Sequence, residues 1–116
     1  MTSTYSGDGA GLTFRTGDLP DGLRLAVGGE IDFQSAHVLR ARAAGPAADP
    51  ALARLVLDLT DVTFCDSSGL GALIALHKTR AAAGGRLELA HVPAPLRHLL
   101  RITNLDEVFT LIDEPV

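Results

Sequence analysis

Two adjacent hydroxyls lie in the segment richest in reactive side chains, Phe64-Cys65-Asp66-Ser67-Ser68-Gly69-Leu70-Gly71. An apolar run precedes it and a stretch rich in alanine and leucine follows, a pattern that predicts a strand end, a loop and a helix start. Two uses of these residues stand open. Asp66 or Ser67 caps the helix, because a short side-chain oxygen accepts backbone N–H groups that have no partner in a first helical turn. Alternatively, one serine is held exposed on a rigid platform where a kinase reaches it. There the positive end of the helix dipole favours a phosphate by about 0.3–1 kcal/mol, so the helix need not melt. Gly69 and Gly71 each cost a helix about 1 kcal/mol relative to alanine. Tight packing on a sheet or close approach of a partner would compensate, and each explanation can hold for a different glycine.

At about 100° per residue, Leu70, Leu73, Ile74, His77 and Ala81 share one face of this helix and are expected in the core. Ser67, Gly71, Ala75 and Lys78 form a neighbouring stripe whose small side chains let a partner come close.

Other chemistry finds less support. Neither serine sits in the Gly-x-Ser-x-Gly pattern of a hydrolase nucleophile, and the four histidines, His37, His77, His91 and His98, are scattered. Glu30, Asp32, Asp58, Asp61 and Asp66 could gather at strand ends around magnesium, but Asp58 and Asp61 equally suit strand-end and turn positions. Gly69-x-Gly71 lacks the rest of either phosphate-binding fingerprint. Cys65 is expected to be a small buried filler. No metal or cofactor is expected.

The elements that position these residues follow from periodicity. Leu12–Thr16 and Leu23–Val27 alternate about a Pro20-Asp21-Gly22 turn, which predicts an antiparallel hairpin closed by Gly28-Gly29. Ala36, Leu39 and Ala43 place a small apolar stripe on a helix reaching about Ala44, with Asp32 as a cap near its start. Leu55–Leu59 is a nearly continuous apolar run, expected of a central strand covered on both faces. The serine-led helix runs from Ser67 to about Ala83, before Gly84-Gly85. Arg86–Ala90 is a strand, Pro95 to about Ile102 a helix with Leu96, Leu99 and Leu100 on one face, and Val108–Leu111 a last strand. The order β-β-α-β-α-β-α-β implies a single α/β domain, a mixed sheet with helices packed on it, over residues 11–116. Residues 1–10, polar and glycine-rich, are expected to be a disordered tail.

With 116 residues, the chain is one ordinary domain in length. A net charge of −4 without basic clustering disfavours direct nucleic-acid binding. The single cysteine excludes a disulfide framework and fits a reducing compartment, with the cytoplasm as the expected location. The start lacks the pattern of a signal peptide, and the longest strongly apolar stretch, Gly69–Leu76, is far below the roughly 20 residues that span a bilayer.

Three segments carry a resemblance: Gly29-Glu30-Ile31-Asp32, Leu55-Val56-Leu57-Asp58-Leu59-Thr60-Asp61-Val62, and Asp66-Ser67-Ser68-Gly69-Leu70-Gly71. In this order and at these distances they resemble the STAS family, specifically its stand-alone bacterial anti-sigma factor antagonists, over roughly Leu12 to Leu111. The resemblance implies a regulatory binding protein rather than an enzyme. Its unphosphorylated form would bind an anti-sigma factor that is also an ATP-dependent serine kinase, and so free a sigma factor. The kinase would phosphorylate Ser67 and end the contact, and a metal-dependent Ser/Thr phosphatase would restore it. Asp32, Asp66, Ser67, Ser68, Gly69 and Gly71 would form the partner contact, on a monomer or weak dimer.

Two features depart from the family pattern. Only Ile112–Val116 remain where a final amphipathic helix is usual, so that helix looks truncated. Phe33-Gln34 also stands in a segment expected to be more polar, with Phe33 either a core residue or a partner contact. Within the same fold, the alternative is a STAS subunit of a lipid-transport or stress-signalling complex not controlled by phosphorylation. An aspartyl-phosphate receiver is disfavoured because it needs a lysine at a late strand end, and the sole lysine, Lys78, lies in a predicted helix.

Overall fold

Leu55–Leu59 does lie at the middle of the sheet, in a strand much longer than its apolar run. The computed structural model describes residues 2–6 and 11–113. In chain order these form β1 (Thr2–Ser6), β2 (Thr13–Leu19), β3 (Gly22–Ile31), α1 (Ala36–Ala48), β4 (Arg54–Cys65), α2 (Ser67–Ala82), β5 (Arg86–Ala90), α3 (Ala94–Ile102), a 3-10 turn at Leu105–Glu107, and β6 (Thr110–Ile112). The six strands are hydrogen-bonded in sequence order, antiparallel from β1 to β3 and parallel from β3 to β6.

That order decides where the helices go. Each crossover advances the chain one strand in the same direction, and right-handed connections then place α1, α2 and α3 on one face. Leu55, Leu57 and Leu59 point to that face. They form one core with Leu39 of α1, Leu70, Leu73 and Leu76 of α2, and Leu96 and Leu100 of α3.

The opposite face carries charge, so β4 is not covered on both sides by a packed layer as its composition suggested. Val56 is fully buried there, amid ion pairs made by neighbouring positions: Arg24 to Asp58 at 3.4 Å, Arg54 to Glu88 at 3.3 Å and Arg86 to Glu88 at 3.6 Å. Long side chains can cover apolar surface with their aliphatic stems while keeping their heads paired.

Several boundaries differ from expectation. Within the expected tail, Thr2–Ser6 pairs with β2; residues 7–10 lie outside the described residues. Gly28-Gly29 does not end the second hairpin strand. The chain bulges there, with register shifts between Ala26 and Gly28 and between Gly29 and Glu30, and β3 continues to Ile31. Gly29 has φ +105° and lies against the carbonyl of Gly11, a position that leaves no room for a side chain. Helix α1 runs one turn past its expected end, through Pro46 to Ala48.

Arg80 accounts for that extra turn. Its side chain is fully buried, which its charge gave no reason to expect. Nη1 donates to the carbonyls of Pro46, Ala47 and Asp49 at 3.0–3.3 Å, Nη2 to Leu52 at 2.6 Å and Nε to Arg86 at 3.2 Å. One guanidinium thus satisfies the last carbonyls of α1 and holds the starts of β4 and β5. Burial lowers the pKa of Arg80, and Asp49 opposes that shift. Gly85 packs directly on the guanidinium, where a Cβ would collide with it. Residues Gly69, Ala72, Leu76 and Arg80 therefore complete the buried face of α2 with Leu70 and Leu73, and Ala81, expected in the core, is exposed.

Candidate functional site

The three segments singled out by sequence meet where β3 and β4 end. Ile31 pairs with Cys65, and the N–H of Asp66 donates to the carbonyl of Ile31 at 3.2 Å. The chain leaving β3 enters the turn before α1, and the chain leaving β4 enters α2. Both helices consequently start at one rim of the sheet.

Asp66, rather than Ser67, is the cap of α2. Its Oδ1 accepts the N–H groups of Ser68 at 2.8 Å and Gly69 at 3.2 Å, and its carbonyl accepts that of Leu70 at 3.0 Å. Ser67, the first helical residue, is exposed, and its hydroxyl makes no hydrogen bond among the described residues. Ser68 is half-buried. The donors that would have welcomed a phosphate are occupied by Asp66, so at Ser67 the dipole's attraction is set against a neighbouring carboxylate.

The two glycines also divide. A Cβ on Gly69 would lie 2.5 Å from Cys65 Sγ, 2.9 Å from Ile31 Cγ2 and 3.0 Å from the Ile31 carbonyl oxygen. Gly69 is therefore the close contact that seats α2 on the sheet, and it faces inward rather than toward a partner. A Cβ on Gly71 would meet nothing within 4 Å, and Gly71 is exposed beside Ser67. The stripe Ser67, Gly71, Ala75 and Lys78 is exposed or half-buried, so this face of α2 has no covering layer among the described residues.

Asp32 orders the opposite side of the rim. Its Oδ1 accepts the N–H groups of Gln34 at 2.9 Å and Ser35 at 3.0 Å, one turn ahead of the regular helix. Ser35, fully buried, accepts from the N–H of Asp32 at 2.9 Å and donates to the carbonyl of Glu30 at 2.6 Å. Sequence reasoning passed over this serine, although an aspartate followed three residues later by a hydroxyl is a recognisable capping pattern. Phe33, at the tip of the turn, is 83% exposed and is not a core residue.

The remaining candidates are engaged elsewhere. Asp58 Oδ1 accepts from the Thr60 hydroxyl at 2.6 Å and its Oδ2 pairs with Arg24, on the charged face of the sheet. Among the described residues no three His, Cys, Asp or Glu side chains form a metal-binding group. Burial and then the charge of Asp66 raise the Cys65 thiol from 9.0 to about 12, which suppresses the nucleophilic thiolate. Of the histidines, His77 packs edge-on against Phe109 with ring centroids 5.7 Å apart.

A family profile described as "Mlab, STAS domain" matches residues 14–113, the hairpin, the parallel strands and all three helices. The chain belongs to the STAS domain family. The anti-sigma-B factor antagonist of Bacillus subtilis is 35% identical over 89 residues, covering 77% of this chain and 80% of that protein. The crystal structure of an anti-sigma factor antagonist from Mycobacterium paratuberculosis superposes with a TM-score of 0.79 at 27% identity, over 92% of this chain and 90% of that one. SpoIIAA of Bacillus, solved in its phosphorylated form, shares the fold with a TM-score of 0.68 at 19% identity, over 88% of this chain and 91% of that one. The final helix expected of the family does not follow β6 among the described residues, which end at Asp113. No helix among them is long and apolar enough to cross a membrane.

Proposed function

We propose that this STAS domain is an anti-sigma factor antagonist whose binding is switched off by phosphorylation of Ser67. Its partner on this reading is a cytoplasmic anti-sigma factor that is also an ATP-dependent serine kinase. The observation that carries the reading is the division of labour between Asp66 and Ser67. The aspartate does the capping, so the serine hydroxyl is exposed on a rigid helix start and its modification leaves the fold intact. The names of the relatives support it, as does the existence of SpoIIAA in unphosphorylated and phosphorylated forms.

The mechanism follows from charge and fit. Unmodified, Ser67, Ser68 and Gly71 present small side chains on a surface fixed by the Asp32 and Asp66 turns, with Gly69 supporting them from beneath. The kinase transfers the γ-phosphoryl group of ATP to Ser67 Oγ, releasing ADP and the hydroxyl proton. The new group brings a charge of about −1.5 to −2 beside Asp66 and into a contact that must otherwise exclude water. A penalty of about 4 kcal/mol already weakens binding nearly a thousandfold. Hydrolysis of the phosphoserine by a metal-dependent Ser/Thr phosphatase returns the binding form.

The test is the intact mass of the chain after incubation with magnesium-ATP and each kinase-type anti-sigma factor encoded in its genome, with Ser67→Ala as control. One added phosphate, absent from the control and accompanied by loss of the complex, is the expected result. A folded protein that gains no mass with any of them overturns the switch and leaves a constitutive STAS subunit.

A further inference from the structure

Two of the four phenylalanines, Phe14 and Phe109, are buried, and the other two stand exposed around the rim just described. Phe33 is 83% exposed and Phe64 is 50% exposed. They leave the sheet at one point: Phe33 lies two residues beyond Ile31, Phe64 one residue before Cys65, and Ile31 pairs with Cys65. Phe33 is presented by a turn that four hydrogen bonds between side chains and backbone hold in shape. Phe64 borders a recess of about 240 Å³ lined also by Val62, Pro93, Pro95 and Leu96, between the end of β4 and the start of α3. Neither the ring exposed on this turn nor the one bordering the recess belongs to the buried core, and aromatic side chains that are already ordered make strong binding anchors.

The charges at this rim specify the other side of the contact. Residues 28–36 and 60–72 contain no Lys or Arg, while the same segments carry the carboxylates of Glu30, Asp32, Asp61 and Asp66. On the α3 side Arg97 is already paired with Asp113 at 3.0 Å. A second copy of this chain would bring like charge to the same place, which argues against self-association through it.

We propose that Phe33 and Phe64 are the apolar anchors of the Ser67 surface, and that the partner meets them with an apolar recess edged by Lys or Arg side chains. This rests on the reading of Ser67 given above and adds what confers affinity before phosphorylation.

The experiment is calorimetric titration of the purified kinase-type anti-sigma factors with the full chain in its wild-type, Phe33→Ala, Phe64→Ala and Ile102→Ala forms, without ATP. Ile102 is 64% exposed at the far end of α3 and serves as the control for removing surface apolar area. Phe33→Ala is expected to weaken binding by about tenfold or more, Phe64→Ala by at least about fivefold, and Ile102→Ala by less than about twofold. Raising salt from about 0.05 to about 0.5 M should weaken the wild-type complex several-fold. Unchanged thermal midpoints confirm that each variant is folded. Wild type that binds and is phosphorylated, with both alanine variants within twofold of it, overturns the anchors and leaves the Ser67 switch standing. Wild type that neither binds nor is phosphorylated by any such protein overturns both.

Discussion

Gly69 and Gly71 are two residues apart on one helix, and the structure predicts opposite consequences for the same added methyl group. At Gly71 the methyl meets nothing within 4 Å, so Gly71→Ala gains helix propensity and should stabilise the fold by about 0.5–1 kcal/mol. At Gly69 a comparable gain is opposed by overlap with Cys65 Sγ at 2.5 Å and Ile31 Cγ2 at 2.9 Å, beside a backbone carbonyl at 3.0 Å. Overpacking of this kind costs about 1–3 kcal/mol. The net effect is a loss of about 1 kcal/mol, which places the two variants about 2 kcal/mol apart. In urea unfolding followed by circular dichroism, that gap corresponds to roughly 1 M between midpoints. Since the closest atom is a thiol, Cys65→Ala combined with Gly69→Ala should recover part of the loss as a favourable coupling. A Gly69→Ala protein at least as stable as Gly71→Ala would refute the close seating of α2 on β3 and β4, and with it the account of why Ser67 is held where it is.

Asp66→Ala removes the acceptor of two first-turn N–H groups and should cost about 1 kcal/mol in the same unfolding assay, even without any partner present. Arg80→Ala strips partners from buried carbonyls and opens a cavity; a loss of about 3 kcal/mol or more is expected, measured as a fall in unfolding free energy. Cys65 should react slowly with a thiol reagent at about pH 8 in the folded protein and quickly in denaturant, because its folded pKa is raised. The same shift makes the folded state hold its proton more tightly than the unfolded chain. The contribution to stability is therefore complete below 9.0 and declines as pH rises toward about 12, and Cys65→Ala should flatten that decline in alkaline unfolding curves.

The parallel core and the helix starts were legible because their signals are local. Leu55–Leu59 reads as a central strand from composition alone, and Asp66-Ser67-Ser68 reads as a helix start from side-chain chemistry alone. What escaped depends on partners distant in sequence. The second half of β4 follows a register shift opposite Ala26 and Gly28, so its alternation breaks at Thr60-Asp61 and resumes out of phase, with Val62 buried after Leu55, Leu57 and Leu59. The burial of Arg80 was not legible because four of its five acceptors lie about thirty residues earlier, at the end of α1 and before β4. The spacing of about 100° that placed Ala81 inside left Arg80 off the core face of α2. Within the site, local chemistry narrowed the cap to Asp66 or Ser67, but whether each glycine faced inward or outward depended on what stood opposite it.

The Arg80 junction bears on how a chemical change at Ser67 can act. Both helices that start at the rim are fastened to each other about 20 Å away, at the opposite end of the sheet, by one side chain bound to the carbonyls of α1 and the starts of β4 and β5. Neither helix can slide or tilt to relieve crowding at its start without breaking that buried knot. On the proposed reading the domain would act as a stencil rather than a spring: its shape would stay the same on phosphorylation of Ser67, and the message would be written only in the chemistry of its face.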